Sequence, residues 1–157
     1  MKIFPPLNPV EHKIISEKSA KDVYLSLKME TSDINEFFSE APFYGSVSEE
    51  CFSIFPQMKG HSSMKPKIEG NIFENEGKAT VIFKVFCPFA PLYYIFGAFG
   101  LYNLFLSIPL LLQKNFSGAA DSIFTGLVIM LAIQIIIQIS YFSPIKKAIK
   151  KITDLVT

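Results

Sequence analysis

The chain has 157 residues, 50% of them hydrophobic and 18% charged, with a formal net charge of +1. All 15 basic residues are lysine, so the rigid guanidinium forks that suit phosphate and base-edge recognition are missing, and no nucleic-acid partner is expected. Two cysteines, Cys51 and Cys87, and two histidines show neither a disulfide framework nor a metal spacing, which argues against a zinc centre.

The charge is unevenly placed. Up to Lys84 there are 10 Lys against 12 Asp and Glu, a net of −2, while the tail from Lys146 carries four Lys and Asp154, a net of +3. Lys2 is followed by Ile3-Phe4-Pro5-Pro6 and then polar residues. A signal peptide needs an apolar run of roughly 7–15 residues, so none is expected.

Val10 to Ile15 reads as a short strand, with His12 as a strand surface residue. Ser16 or Ser19 can cap a helix through about Glu30 that places Ala20, Val23, Leu27 and Tyr24 on one face. Asp33 can cap a shorter helix carrying Ile34, Phe37 and Phe38, ended by Ala41-Pro42. Residues 17 to 50 hold eight acids against three Lys, the composition of a solvated face.

After Tyr44-Gly45 the period changes to two. Val47 to Phe55 reads as one alternating strand, and Lys67 to Glu74 as another with Ile68, Gly70 and Ile72 on one face. Asn75-Glu76-Gly77 is a turn signal, with glycine supplying the positive φ that tight hairpins need. Lys78 to Phe86 answers it, with Val81, Phe83 and Val85 on one face.

Between Lys84 and Lys114 the chain runs 29 residues without a charge, and between Asp121 and Lys146 another 24. A helix of about 20 apolar residues crosses a bilayer core. Two spans, about 91–113 and 122–141, joined by the seven residues Asn115 to Asp121, therefore predict a transmembrane hairpin. Pro91 suits the first turn of a helix, and Pro109 removes one internal hydrogen bond and should kink the outer end. Lys78 and Lys84 precede the hairpin and Lys146, Lys147, Lys150 and Lys151 follow it, whereas the loop offers Lys114 alone. That asymmetry puts both termini in the cytoplasm.

Ser143-Pro144 restarts a helix with Ile145, Ala148, Ile149, Ile152 and Leu155 on one face and the four lysines opposite. Two fates are open to this tail. It can lie on the membrane surface with its lysines on anionic lipid, or fold back to cover the sheet.

Three constellations bear on function. Asn103, Gln134 and Gln138 are polar residues inside the spans, where unpaired amides are costly. With the hairpin centred near residue 117 or 118, Asn103 is level with position 132, near Gln134, and Gln138 is level with Gly97. An interhelical clasp is the plain reading, with Gly97, Ala98 and Gly100 permitting close approach. Contact with other subunits of a homo-oligomer, or a water-filled path, is the sharper one.

The connection 56–66 gathers Lys59, Gly60, Ser62, Ser63 and Lys65, which could hold a phosphate or lipid headgroup, or be an ordinary solvated loop. Catalysis is poorly served. His61-Ser62 lacks an orienting acid, and Glu49-Glu50 and Glu74-Glu76 flank strand ends where solvated carboxylates are common. No cofactor is expected.

The segment from Phe52 to Val85 resembles small uncharacterised bacterial two-transmembrane-helix proteins that carry an F-x-I strand, a polar Asn/Ser-Ser motif, P-x-I-x-G-x-I, a turn and a T-x-V-type strand. The matching residues are Phe52, Ile54, Ser62, Ser63, Pro66, Ile68, Gly70, Ile72, Gly77, Thr80 and Ile82. Met64 stands where an aromatic is usual and Trp is absent. The resemblance implies architecture and no activity.

The expected fold is α+β: a small cytoplasmic antiparallel sheet with N-terminal helices over 1–86, a two-helix transmembrane hairpin over 87–143 and a basic amphipathic tail over 144–157. The expected protein is a non-enzymatic inner-membrane protein of a bacterium that binds a ligand or partner for sensing or scaffolding. The rival expectation is an oligomerising, membrane-perturbing effector gated by the cytoplasmic domain.

Overall fold

The computed structural model describes residues 5–33, 41–57 and 65–157. They form two compact units. One comprises 6–88 together with 140–157; the other comprises Pro5 with 89–139. The first is a mixed α and β domain, and the second is a pair of helices.

The sheet domain begins with strand β1 (Val10–Ile15) and helix α1 (Ala20–Met29). Ser19 caps the helix, its side chain accepting from the Asp22 N–H, and Asp22 sits in the first turn where the helix dipole favours a negative charge. Val23 and Leu27 are buried, one helical turn apart. Strands β2 (Thr31–Ser32), β3 (Phe43–Val47), β4 (Cys51–Pro56), β5 (Lys67–Asn75) and β6 (Lys78–Phe86) complete a six-stranded sheet in the order β1-β6-β5-β4-β3-β2.

The expected antiparallel sheet holds for every pair but one. β2 lies parallel to β3, with Thr31 opposite Phe43 and Ser32 opposite Tyr44. A parallel pair cannot be joined by a tight two-residue turn and needs a crossover between its strands. The second helix expected after Asp33 falls on residues outside the described ones.

The single strand expected over Val47 to Phe55 is instead a hairpin. Ser48 turns the chain, its hydroxyl donating to the Cys51 carbonyl at 2.7 Å while its N–H donates to the same oxygen at 2.8 Å. The adjacent Glu49 and Glu50 therefore stay in solvent rather than facing a half-buried sheet. The β5–β6 turn is as expected: Glu76 and Gly77 both take positive φ, 52° and 77°, which matches the twist of the flanking strands.

His12 is not a plain surface residue. It lies directly opposite Phe83 and stacks on its ring at 5.1 Å.

One face of the sheet is covered. Ile54, Ile68, Val81, Phe83 and Val85 meet α1 and a C-terminal helix α4 (Ser143–Val156), whose Ile145, Ala148, Ile152 and Val156 are buried in the same core. A fully buried aliphatic side chain contributes about 1.5–3 kcal/mol, so α4 is a principal layer of this domain. Of the two fates open to the tail, the structure has it packed on the sheet. Beside it the β1–α1 corner is tied to β6, with the Ser16 N–H donating to the Ala79 carbonyl and the Ala79 N–H to that of Lys18, both at 2.8 Å.

In the other unit, α2 (Ala90–Leu112) and α3 (Phe116–Ile137) are long and apolar enough to cross a membrane. The joint between them is shorter than expected. α3 starts at Phe116 because Asn115 caps it, accepting from the Gly118 N–H at 3.1 Å, so Asp121 lies within the helix. A π-helical stretch, Gln138–Phe142, lies between α3 and α4 in the chain.

Candidate functional site

Among the described residues, the sheet's second face carries no helix of its own domain. Strand alternation sends Glu11, Ser46, Ser53, Glu69, Asn71, Phe73, Ile82 and Lys84 to this side, opposite the core positions between them. They outline a shallow depression of about 520 Å³ with a mixed polar and apolar lining.

Its charges are mutually compensated. Lys84 lies 3.4 Å from Glu11 and directly opposite Glu69, which itself pairs with Lys67. These pairs are exposed enough that each contributes at most about 1 kcal/mol, and their larger effect is to remove net charge from the face.

Towards β3 the face turns aromatic. Tyr44 and Phe55 are cross-strand partners stacked at 5.1 Å, with Lys65 4.6 Å from the Tyr44 ring and Lys67 6.0 Å from Phe55. Burial pushes the Tyr44 phenol above its ordinary value. Reading β3 into a longer alternating strand hid this cluster; the signal for it was the aromatic pair Phe43-Tyr44 just before Gly45.

The other anticipated residues are scattered. Lys59, Gly60, Ser62 and Ser63 lie outside the described residues, so of that loop only Lys65 is placed, over Tyr44. Lys146, Lys147 and Lys150 are exposed along α4, whereas Lys151 reaches back to Glu30 at the end of α1, 2.9 Å away. At the seam between α4 and the sheet, Lys147 and Lys151 flank a cavity of about 370 Å³ floored by Pro42, Phe43 and Pro56. In the same last turn of α1, Lys28 donates to Tyr24 at 2.8 Å, which raises the lysine's pKa.

In the helix pair, Asn103 donates to the Phe99 carbonyl of its own helix at 2.9 Å. The expected interhelical clasp is not made: among the described residues neither Gln134 nor Gln138 has a side-chain hydrogen bond. The cause is the short joint. A Cβ on Gly126 would stand 2.8 Å from the Leu104 side chain and 2.9 Å from the Gly100 carbonyl, so Asn103 is level with the turn around Gly126, about two turns from Gln134. Close approach does run through Gly100 and Gly126; Gly97 is also buried, while Ala98 is exposed.

Neither cysteine forms a disulfide; Cys51 is exposed and Cys87 half-buried. No family model, no curated protein and no solved structure matches this chain.

Proposed function

We propose that the chain is a non-enzymatic integral membrane protein of a bacterial inner membrane. Its α2–α3 hairpin crosses the bilayer and its sheet domain, in the cytoplasm, binds a ligand or protein partner through the face of the sheet opposite α1 and α4. The observation that carries the reading is the order of the chain. The hairpin lies between β6 and α4, two elements of one folded domain. A segment that departs from a domain and returns to it must cross the bilayer an even number of times, and two helices of spanning length satisfy that. Lys146, Lys147 and Lys150 beside the return, against Lys114 alone at the joint, favour the cytoplasm for the domain. The resemblance to small bacterial two-helix membrane proteins in the β4–β6 pattern points the same way.

Binding rather than catalysis is supported by the makeup of the open face. Its carboxylates are matched by lysines, and between them stand Phe73, 51% exposed, and Ile82, the broad amphipathic surface that a partner can cover. The test is a photoreactive residue placed at Phe73 in cells, with the exposed Lys21 of α1 as control. A discrete adduct from Phe73 and none from Lys21 supports the reading. No adduct, or the same adducts from both positions, refutes it.

A further inference from the structure

We infer that two copies of this chain meet along one face of α3, with Gln134 and Gln138 bonding to the same residues of the second copy. This rests on the reading of the hairpin as membrane-spanning.

The face is defined by spacing. Ala119, Gly126, Ile133 and Ile137 are the buried positions of α3, and Gly126 lies against Leu104 and Gly100 of α2. Gln134 and Gln138 each follow a buried isoleucine by one residue, which puts them about 100° around the helix from that stripe. Phe124, Leu127 and Leu131 continue their line, and 124, 127, 131, 134 and 138 alternate steps of three and four. That is the a/d seam by which parallel helices pack at about 20°. Phe124, Leu127 and Leu131 are 70%, 51% and 64% exposed, so the hairpin leaves this seam uncovered.

The amides identify the occupant. Each carboxamide carries two donors and an acceptor, and neither Gln side chain bonds to any described residue. Hydrocarbon offers them nothing, and lipid-facing leucines alone give two helices little reason to associate. A second copy does. A carboxamide complements itself across a two-fold axis, and copies inserted the same way bring Gln134 level with Gln134 and Gln138 level with Gln138. Each amide then gains a partner of matching chemistry at its own depth.

The test uses full-length protein in phosphatidylglycerol-containing vesicles, with Cys51→Ser and Cys87→Ser as background. Leu131→Cys should form a disulfide-linked dimer on mild oxidation, and Ile136→Cys, also exposed but on the opposite side of α3, should not. Fluorescence transfer between labelled copies should show the Gln134→Leu, Gln138→Leu double variant dissociating at least about tenfold more readily. Equal crosslinking at both positions, or unchanged transfer in the double variant, overturns the inference. Vesicle-bound chains that stay monomeric remove this inference alone, whereas chains released from vesicles by carbonate remove the spanning reading itself.

Discussion

The hydroxyl of Ser16, just past β1, donates to the carbonyl oxygen of Val156, 140 positions further along. Lys18 adds a bond from its ammonium to the Leu155 carbonyl at 2.9 Å. The last carbonyls of a helix have no partners within it, so these two side chains close the C-terminal end of α4. The apolar hairpin is thus an insertion within a single domain whose first and last elements are bonded together.

Excision follows from that. Replacing residues 89–139 with a flexible Gly/Ser linker of about 10 residues should yield a domain that unfolds cooperatively without detergent. A chain ending at residue 88 lacks α4 and should bind hydrophobic dyes and show no cooperative transition. Circular dichroism melts of both check it, and equal behaviour of the two would contradict the insertion.

The bond from Ser16 is itself testable. Ser16 is 1% exposed and Val156 fully buried, so Ser16→Ala strands a buried acceptor. A loss of about 1–3 kcal/mol in denaturant unfolding of the hairpin-excised domain is expected, and Ser16→Thr should recover part of it.

What holds α4 to the sheet can be apportioned. Ile152 is fully buried, and Ile152→Ala should cost about 2–5 kcal/mol. The neighbouring Lys151–Glu30 pair is 41% and 33% exposed, and Lys151→Ala should cost no more than about 1 kcal/mol. The reverse ranking would mean that charge rather than the apolar stripe docks the tail.

Gly70 sets the spacing at the centre of the sheet. A Cβ there would lie 2.4 Å from a Phe52 ring carbon and 2.7 Å from the Phe83 Cβ, so Gly70→Ala should destabilise by about 1–3 kcal/mol. Phe52→Leu vacates ring volume. Combined with Gly70→Ala it should show a coupling above about 0.5 kcal/mol in a double-mutant cycle.

Much of this was readable from local pattern. Val23 and Leu27 sit one turn apart behind a serine cap, and Val81, Phe83 and Val85 alternate after an Asn-Glu-Gly turn, so α1, β5 and β6 lie close to where the sequence puts them. Spans of uncharged residues located α2 and α3 for the same reason. What escaped depends on single side chains or distant partners. Ser48 divides β3 from β4 through its hydroxyl, which no periodicity reveals. Asn115 starts α3 early, and Asp121, read as a loop boundary, is carried inside the helix. That shift alone undid the expected depth match of Asn103 with Gln134. The tail's amphipathic stripe was plain, but amphipathicity says only that a face will be covered; the core it covers is contributed by strands some 60 to 110 residues earlier.

The insertion account stands most directly on accessibility from the two sides of the membrane. In cells expressing the chain with Cys51→Ser and Cys87→Ser, an impermeant maleimide should label Ser117→Cys from outside, and label Glu76→Cys only after the membrane is permeabilised. Labelling of Glu76→Cys in intact cells with Ser117→Cys protected would contradict the proposed orientation, and protection of both until permeabilisation would mean that the hairpin does not cross.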